Sequence, residues 1–288
     1  MKILITGNRG FVGVELQKFL KNGRYEVIGF DMLDGFDIRE RNQLERIVKE
    51  QKPSCLVHLA AVARFTDADL NPLLAFEVNT LGTKNVVEVC SKYQLPLVHI
   101  GTGSEYMPVE QNMPITEEFP IRGNSVYGVS KTIASLYVQE CTAPWIILRL
   151  GHLLGAKKVG HGLLGGFLSR INKGMPPIIF GDGSNSNDLC HVFDVAQAIH
   201  KAIGAPSQMW RQAYNIGTGI ETRTEDAAKM ICEVFDWKGE IEKREARTVD
   251  PSRFVFDINK AKNLLGYDPK YDFRSSLLQI KEELNNKE

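Results

Sequence analysis

The sequence predicts an α/β fold: a doubly wound parallel sheet with a smaller, interleaved C-terminal lobe. Three observations lead there. Apolar runs of strand length alternate with helical spacings from Lys2 to Leu150, the pattern of a parallel sheet covered on both faces. The first run ends in a glycine loop, Gly7-Asn8-Arg9-Gly10-Phe11-Val12-Gly13. The second ends in an acid, Asp31, 18 residues after Gly13.

Strand Lys2 to Thr6 feeds the loop, and the helix behind it carries Val14, Leu16, Phe19 and Leu20 as its apolar positions. Glycines let the backbone turn tightly and approach a pyrophosphate. The helix offers N–H groups and its positive dipole end to that anion. Strand Tyr25 to Phe30 delivers Asp31, where a carboxylate can accept the ribose hydroxyls of an adenosine. A glycine turn can be purely structural. Its place between strand and helix, with an acid at the next strand end, favours a dinucleotide. Asp31 points to NAD, because a 2′-phosphate would meet its charge. Arg9, inside the loop, offers such a phosphate a guanidinium, so NADP stays open.

Asp37-Ile38-Arg39 precedes a helix from Glu40 to Lys52, closed by Pro53. Strand Cys55 to Leu59 runs into Ala60-Ala61-Val62-Ala63, small enough for a cofactor to pack against the strand end. A long helix from Leu73 to Tyr93 carries Asn79. Strand Leu97 to Ile100 ends in Gly101-Thr102-Gly103-Ser104, and strand Trp145 to Leu150 follows the helix of Tyr127 and Lys131. Asp31, Ala60, Thr102 and Leu150 therefore fall at carboxyl ends of strands, where ligands bind in such sheets.

Tyr127 and Lys131 are four residues apart, so a helix places them on one face. A phenol titrates near ~10 and is a poor base at neutral pH. A neighbouring ammonium favours the phenolate and makes it a usable acid/base for an alcohol. Most Tyr–Lys pairs at this spacing are helix surface. The adjoining dinucleotide loop gives this one a hydride carrier to work with.

The 288 residues suffice for a large core, in one bilobal unit or two domains. Lys+Arg and Asp+Glu are equal at 35 each, so no bulk charge recruits nucleic acid or an anionic membrane. No apolar run of about 18 residues predicts a membrane span. Met1-Lys2 leads straight into a strand and a glycine turn, too quickly broken for a signal peptide. The five cysteines, Cys55, Cys90, Cys141, Cys190 and Cys232, are scattered without a CxxC or His/Cys cluster. They are expected to be reduced thiols of a cytoplasmic protein, with no metal site.

Several motifs in order resemble the extended short-chain dehydrogenase/reductases of the NAD-dependent epimerase/dehydratase family. They are Thr6-Gly7-x-x-Gly10-Phe11-Val12-Gly13, Asp31, Asp37-Ile38, His58-Leu59-Ala60-Ala61, Asn79, Thr102 and Tyr127-x-x-x-Lys131. Gly181-Asp182-Gly183, His191-Val192-x-Asp194-Val195-Ala196, Tyr214-Asn215-Ile216-Gly217-Thr218-Gly219 and Lys260-Ala261-Lys262-x-Leu264-Leu265-Gly266-Tyr267 extend the resemblance end to end. It implies a Rossmann-type nucleotide domain over 1–155, with 188–215 returning to it, and a substrate lobe of 156–187 and 216–288. It implies Tyr127 as general acid/base, and Lys131 as the ligand of the nicotinamide ribose that also depresses the phenol pKa. Thr102, four residues before Tyr106, stands where the family places its catalytic Ser/Thr; the alternative is a strand-end turn residue. Asp37 and Ile38 would contact the adenine, and Leu59 to Ala61 would line the pyrophosphate and ribose. Gly7, Arg9, Gly10, Phe11, Val12, Gly13, Asp31 and Asn79 complete the expected cofactor set.

Departures from the family pattern bear on the substrate. Dehydratases resemble one another in an acidic pair after the catalytic Thr, and here those places hold Gly103 and Ser104. An elimination needs an acid and a base there, so dehydration is disfavoured; Glu105 is near but out of register. Epimerases resemble Arg-x-x-Asn-x-x-Gly-Pro after strand Trp145 to Leu150, and His152 stands in the asparagine's place in Arg149-Leu150-Gly151-His152. Asn187-Asp188 replaces a common Arg-Asp, removing a guanidinium that could clamp a diphosphate. Arg170, Arg244, Arg247 and Arg253 could compensate or be solvated surface charges, and His161 lies in a loop that could cover the site. Ser104, His152, Asn187 and Arg253 are the candidate substrate contacts.

In the C-terminal third, helices are expected over Gly162 to Lys173, Thr224 to Phe235 after a Thr222-x-x-Glu225 capping pattern, Ile258 to Leu265, and Ser275 to Leu284. Strands are expected at Ile178 to Phe180 and Val255 to Asp257, with a frayed tail from Asn285. The expected function is NAD-dependent oxidation of a sugar hydroxyl, as a nucleotide-sugar epimerase working through a transient keto sugar. The alternatives are a ketoreductase or dehydrogenase on a sugar or other small carbonyl substrate, and a non-catalytic dinucleotide-binding regulator. The resemblance also implies a homodimer built on the Leu73–Tyr93 and Tyr127 helices.

Overall fold

A computed structural model describes residues 1–21, 25–106, 113–156, 162–246 and 253–286. His161, Arg247 and the end of the expected tail lie outside the described residues. Six strands form one parallel sheet among them: β1 (Lys2–Thr6), β2 (Glu26–Phe30), β3 (Cys55–His58), β4 (Leu97–Thr102), β5 (Trp145–Leu150) and, much later in the chain, Gln212–Ile216. The order runs β2, β1, β3, β4, β5 and then the Gln212–Ile216 strand. The chain leaves β1 to one side for β2 and crosses to the other for β3. That reversal opens a crevice at the carboxyl ends of β1 and β3, the binding place in open α/β sheets.

The strands are apolar on both faces because both are covered. Ile3, Ile5, Ile146 and Leu148 join one core with Leu16 and Leu20 of α1 (Phe11–Lys21). Their alternates Leu4 and Ile147 join the opposite core with Leu44 and Val48 of α2 (Arg41–Gln51). This period-two division is the pleat of each strand expressed as two hydrophobic layers. Lys52 does not extend α2; it takes a left-handed conformation (φ 49°) and caps the helix end.

The long helix expected from Leu73 is composite. After α3 (Phe65–Leu70), α4 (Pro72–Phe76) passes through a π-helical turn, Glu77–Leu81, into α5 (Gly82–Tyr93). Asn79 sits in the widened turn, a feature often found at functional sites. Helix α6 (Val126–Gln139) carries Tyr127 and Lys131 and is N-capped by Ser125, whose Oγ accepts from Gly128 N at 3.0 Å.

The second lobe follows β6 (His152–Leu154), α7 (Gly162–Ile171) and β7 (Ile178–Phe180). Strand β8 (Ser186–His191) pairs with β6, so 188–191 belong to this small sheet. The return to the large sheet comes with α8 (Val192–Ile203), packed beside α1, and with β9, the Gln212–Ile216 strand. Strand β10 (Glu221–Arg223) pairs antiparallel with β8 and places Thr222 opposite Asn187. Thr222 is therefore a strand residue and does not cap α9 (Thr224–Val234), whose N-cap is Arg223 without a side-chain bond. Strand β11 (Glu242–Arg244) pairs with β7. Leu168, Ile179, Ile231 and, from α10 (Phe273–Asn285), Leu277 form the core of this lobe.

Two expected elements differ. Val255 to Asp257 makes only an isolated bridge, Phe256 to Ile115. Ile115 N donates to Val255 O and Asp257 N to Ile115 O, both at 2.8 Å, and no longer pairing forms there among the described residues. Residues 258–265 close in a π-helical turn, Ala261–Leu265, ended by Gly266 at φ 64°. Among the described residues no helix is long and apolar enough to cross a membrane.

Candidate active site

The glycine loop shapes the crevice. Gly7 has φ +70°, and a Cβ there would lie 2.7 Å from Ala60 N. Only glycine lets the β1 turn sit against the end of β3. Gly10 then accepts Val14 N at 3.0 Å, opening α1 with its positive end over the crevice. Leu59, Ala60 and Ala61 are partly exposed along the same wall. Close backbone approach, a helix start and small side chains are what a pyrophosphate needs, so the residues present fit a dinucleotide.

Asp31 organises the carboxyl end of β2. Its carboxylate caps the turn Met32–Asp34 through Leu33 N (3.0 Å) and accepts Arg9 N (3.0 Å). Arg9 does not present the free guanidinium that its place in the loop suggests. Its Nε donates to both oxygens of Asp34 (3.1 and 3.0 Å) and its Nη2 to Oδ1 (2.5 Å). The pair raises the guanidinium pKa and holds the Asp34 carboxyl below its ordinary value. Asp37 is likewise engaged, with Arg39, which also reaches Glu77 at 2.9 Å. Ile38 is buried against Gly82.

His58, within the His-Leu-Ala-Ala motif, has a role that motif reading misses. Its Nδ1 meets Thr6 Oγ1 at 2.7 Å and its Nε2 meets Thr83 Oγ1 at 3.0 Å, and Thr83 in turn donates to Asn79 O at 2.6 Å. Burial, reinforced by Lys131, pushes the imidazole down to about 3, so it is a neutral cross-link from β1 to the π-helical turn. Asn79 is a fastener too. Its amide exchanges hydrogen bonds with Val62 N and O (2.8 and 3.1 Å) and donates to Ser130 Oγ at 3.0 Å. It ties the segment after β3 to α6 rather than facing the crevice.

Thr102, Tyr127 and Lys131 come together at the carboxyl end of β4. Thr102 ends the strand and caps a one-turn 3-10 helix, Gly103–Glu105, with Oγ1 accepting Ser104 N at 3.3 Å. Its hydroxyl favours ionisation of the Tyr127 phenol, and the Phe65 ring stands edge-on to the Tyr127 ring at 5.1 Å. Lys131 Nζ donates to Ile100 O at 2.7 Å. The phenol is not depressed as the Tyr–Lys spacing suggests. Desolvation pushes it up to about 12, and the Thr102 hydrogen bond pulls only partly back. Burial lowers Lys131 to about 8, against an upward pull from Glu105. The ammonium is turned toward the Ile100 carbonyl, while burial and the Glu105 charge both hold the phenol up.

The substrate side is aromatic. A Cβ on Gly103 would land on Phe254 Cζ, 2.8 Å from its Cε2 and 3.1 Å from Phe256 Cζ. The Phe254 ring meets Phe256 at 4.8 Å and His152 edge-on at 5.7 Å. Ser104 lies beside Thr102, with their hydroxyls 3.4 Å apart. Arg253 forms a double hydrogen bond with Glu221 (2.7 and 2.6 Å), which with Ser186 holds that carboxyl down to about 2. Asn187 adjoins that pair on β8. Phe254, Glu105 and its partner Arg149 were not singled out from sequence as site residues; only the nearness of Glu105 to Thr102 signalled it. All five cysteines are free and buried. No cluster of His, Cys, Asp or Glu among the described residues could hold a metal.

The family model for the NAD dependent epimerase/dehydratase family matches residues 3–217. A putative UDP-glucose 4-epimerase of Methanocaldococcus jannaschii is 28% identical, covering 99% of this chain and 98% of its own. The dTDP-glucose 4,6-dehydratase of Salmonella typhimurium is 25% identical over 96% of this chain and 91% of its own. The crystal structure of a Thermotoga maritima UDP-glucose 4-epimerase with UDP-glucose superposes with a TM-score of 0.91, at 26% identity and full coverage of both chains. With the crevice, the glycine turn and the Thr–Tyr–Lys cluster in family register, the chain belongs to the NAD-dependent epimerase/dehydratase family.

Proposed function

We propose that this protein is an NAD-dependent epimerase acting on a sugar hydroxyl of a nucleotide-sugar, with UDP-glucose as the first substrate to test. The observation that carries the reading is the meeting of Thr102, at the end of β4, with Tyr127 and Lys131, one helical turn apart on α6, with Lys131 Nζ bound to Ile100 O of the same strand. Gly7 to Gly13 and Leu59 to Ala61 would hold the pyrophosphate and Asp31 the adenosine ribose. When bound, oxidised NAD supplies a hydride acceptor and a positively charged ring. Tyr127 takes the proton from the sugar hydroxyl and later returns it to the keto oxygen. Thr102 holds that oxygen in place by hydrogen bonding, and Lys131 stabilises the phenolate that Tyr127 must become before it can accept the proton. In the ligand-free protein the phenol stays protonated through neutral pH, so proton abstraction depends on positive charge arriving in the cleft.

Three observations support finer parts of the reading. Phe254 fills the space beside Gly103, where a dehydratase-type carboxylate would stand, which favours epimerisation over dehydration. Leu73, Leu81 and Leu136, on α4, the π-helical turn and α6, are 70%, 51% and 47% exposed, an apolar face suited to the homodimer. Ser104, His152 and Asn187 surround the Phe254 wall and β8 as substrate contacts, while Arg253 reaches a diphosphate only by leaving Glu221.

The test is to incubate purified protein with UDP-glucose and measure formation of UDP-galactose without added cofactor, then assay released NAD after denaturation. Tyr127→Phe is expected to abolish turnover and leave NAD content nearly unchanged. Turnover persisting in Tyr127→Phe sinks the mechanism, and stoichiometric consumption of added NAD sinks the epimerase in favour of a dehydrogenase.

A further inference from the structure

We infer that Glu105 is a positioning residue, whose buried carboxylate, locked by Arg149, fixes Thr102 against Tyr127. The inference rests on the catalytic reading of Thr102. Glu105 is fully buried and Arg149 nearly so. One carboxylate oxygen, Oε1, accepts Thr102 N at 2.8 Å; the other, Oε2, accepts Arg149 Nε at 3.0 Å. Arg149 Nη1 then donates to Tyr106 Oη at 3.0 Å, and Tyr106 donates to Asn215 Oδ1 at 2.6 Å. The guanidinium also lies over the Tyr106 ring, 4.9 Å from its centre. Asn215 is fixed in turn, donating Nδ2 to Ile115 O at 2.9 Å and its backbone N–H to Glu117 at 2.7 Å. A continuous chain of hydrogen bonds therefore runs from the backbone of Thr102 across β5 to β9.

Stability alone gives a poor account of this arrangement. A buried ion pair seldom outdoes apolar residues of similar volume, because both charges lose hydration. The strand end is nonetheless built around this one: a Cβ on Gly101 would sit 2.5 Å from Glu105 Oε1. The carboxylate grips the backbone of Thr102, the strand-end residue that faces α6 and its Tyr127, which turns burial into geometric precision at the reacting centre. It is also the anion that favours the Lys131 ammonium. The other titratable groups around Lys131 are His58 on β3, His99 on β4 and Tyr127 on its own helix, and the Lys131 charge lowers both imidazoles.

The deciding experiment replaces the pair together, Glu105→Val with Arg149→Met, so that neither charge is left buried alone. Single variants Glu105→Gln and Glu105→Asp accompany it. The double variant is expected to fold with a Tm at or above the parent's and to retain NAD. Thr102 amide exchange, read by NMR in the ligand-free protein, is expected to accelerate at least roughly tenfold, about the loss of one hydrogen bond to a charged group. With UDP-glucose, kcat is expected to fall roughly 100-fold with little change in KM. The decline of activity at high pH is expected to move to lower pH, because Lys131 has lost its anion. Glu105→Gln keeps the backbone acceptor, so Thr102 stays protected while the pH limb moves; Glu105→Asp restores part of kcat. A double variant with parental exchange at Thr102 and parental kcat overturns the inference. So does a kcat loss that tracks Tm alone. If the parent does not turn over UDP-glucose, the functional proposal fails, and exchange at Thr102 still decides the positioning claim by itself.

Discussion

Gly103→Asp installs, in one step, the first of the two acids that family dehydratases resemble one another in. Its Cβ would land on Phe254 Cζ and lie 2.8 Å from Cε2 and 3.1 Å from Phe256 Cζ, against an ordinary carbon contact of about 3.5–4.0 Å. The Phe254 ring has to rotate, giving up its edge-on packing with His152 at 5.7 Å and Phe256 at 4.8 Å. Overpacking costs about 1–3 kcal/mol, and the two weakened ring contacts about 0.5 kcal/mol each. The expected destabilisation is about 2–4 kcal/mol, a drop in Tm of roughly 4–8 °C at about 2 °C per kcal/mol for a large domain. Phe254→Leu opens the space, so the same Gly103→Asp change on that background is expected to cost at least about 1 kcal/mol less. Thermal unfolding of the four proteins of the cycle measures both values. Product analysis with UDP-glucose is expected to show no keto-deoxy sugar from the parent. An unchanged Tm in Gly103→Asp, equal losses on both backgrounds, or a dehydrated product from the parent would refute the reasoning.

Further outcomes follow from the same geometry. Lys131 titrates at about 8 when folded against 10.5 ordinarily. Between these values the unfolded chain binds more protons, so the Lys131 contribution to stability rises with pH while activity, which needs the ammonium, falls through about pH 8; parallel pH series of Tm and initial rate check the opposed signs. Asp31→Asn leaves Arg9 tied to Asp34, and Asp34→Asn leaves Asp31 facing a 2′-phosphate. Calorimetry is therefore expected to show the double variant gaining NADP affinity by more than the product of the two single gains. Leu73→Glu with Leu136→Glu is expected to convert a dimer to monomer in light scattering, with NAD binding kept.

Much of the fold was legible because its signals are local. The alternation of Ile3, Leu4 and Ile5 between two covered faces is written in a five-residue strand, and Gly7 to Gly13 encodes a turn and a helix start within one segment. Element ends were less legible. Thr222 reads as a helix cap until β8 is seen to claim it as a strand residue. Val255 to Asp257 reads as a strand until its pairing is seen to be the single bridge of Phe256 to Ile115. The site divides in the same way. Tyr127 and Lys131 could be found from spacing and Thr102 from the family resemblance, but the sign of the Tyr127 shift could not, because desolvation depends on what surrounds the ring.

The sequence by itself determined the order of strands and helices from Lys2 to Leu150, the dinucleotide turn and the Tyr127–Lys131 pair, since each rests on chemistry within a few neighbouring positions. Tertiary structure alone decided which charges were already engaged and which space was already filled. Arg9 is held by Asp34 across 25 residues and Arg149 by Glu105 across 44, and Phe254, from late in the chain, packs on the large sheet's core and covers Gly103. Such pairings carry no periodicity in the chain. They arise when packing brings distant groups within a few ångströms, and at that range a buried charge or a ring edge fixes what the site admits.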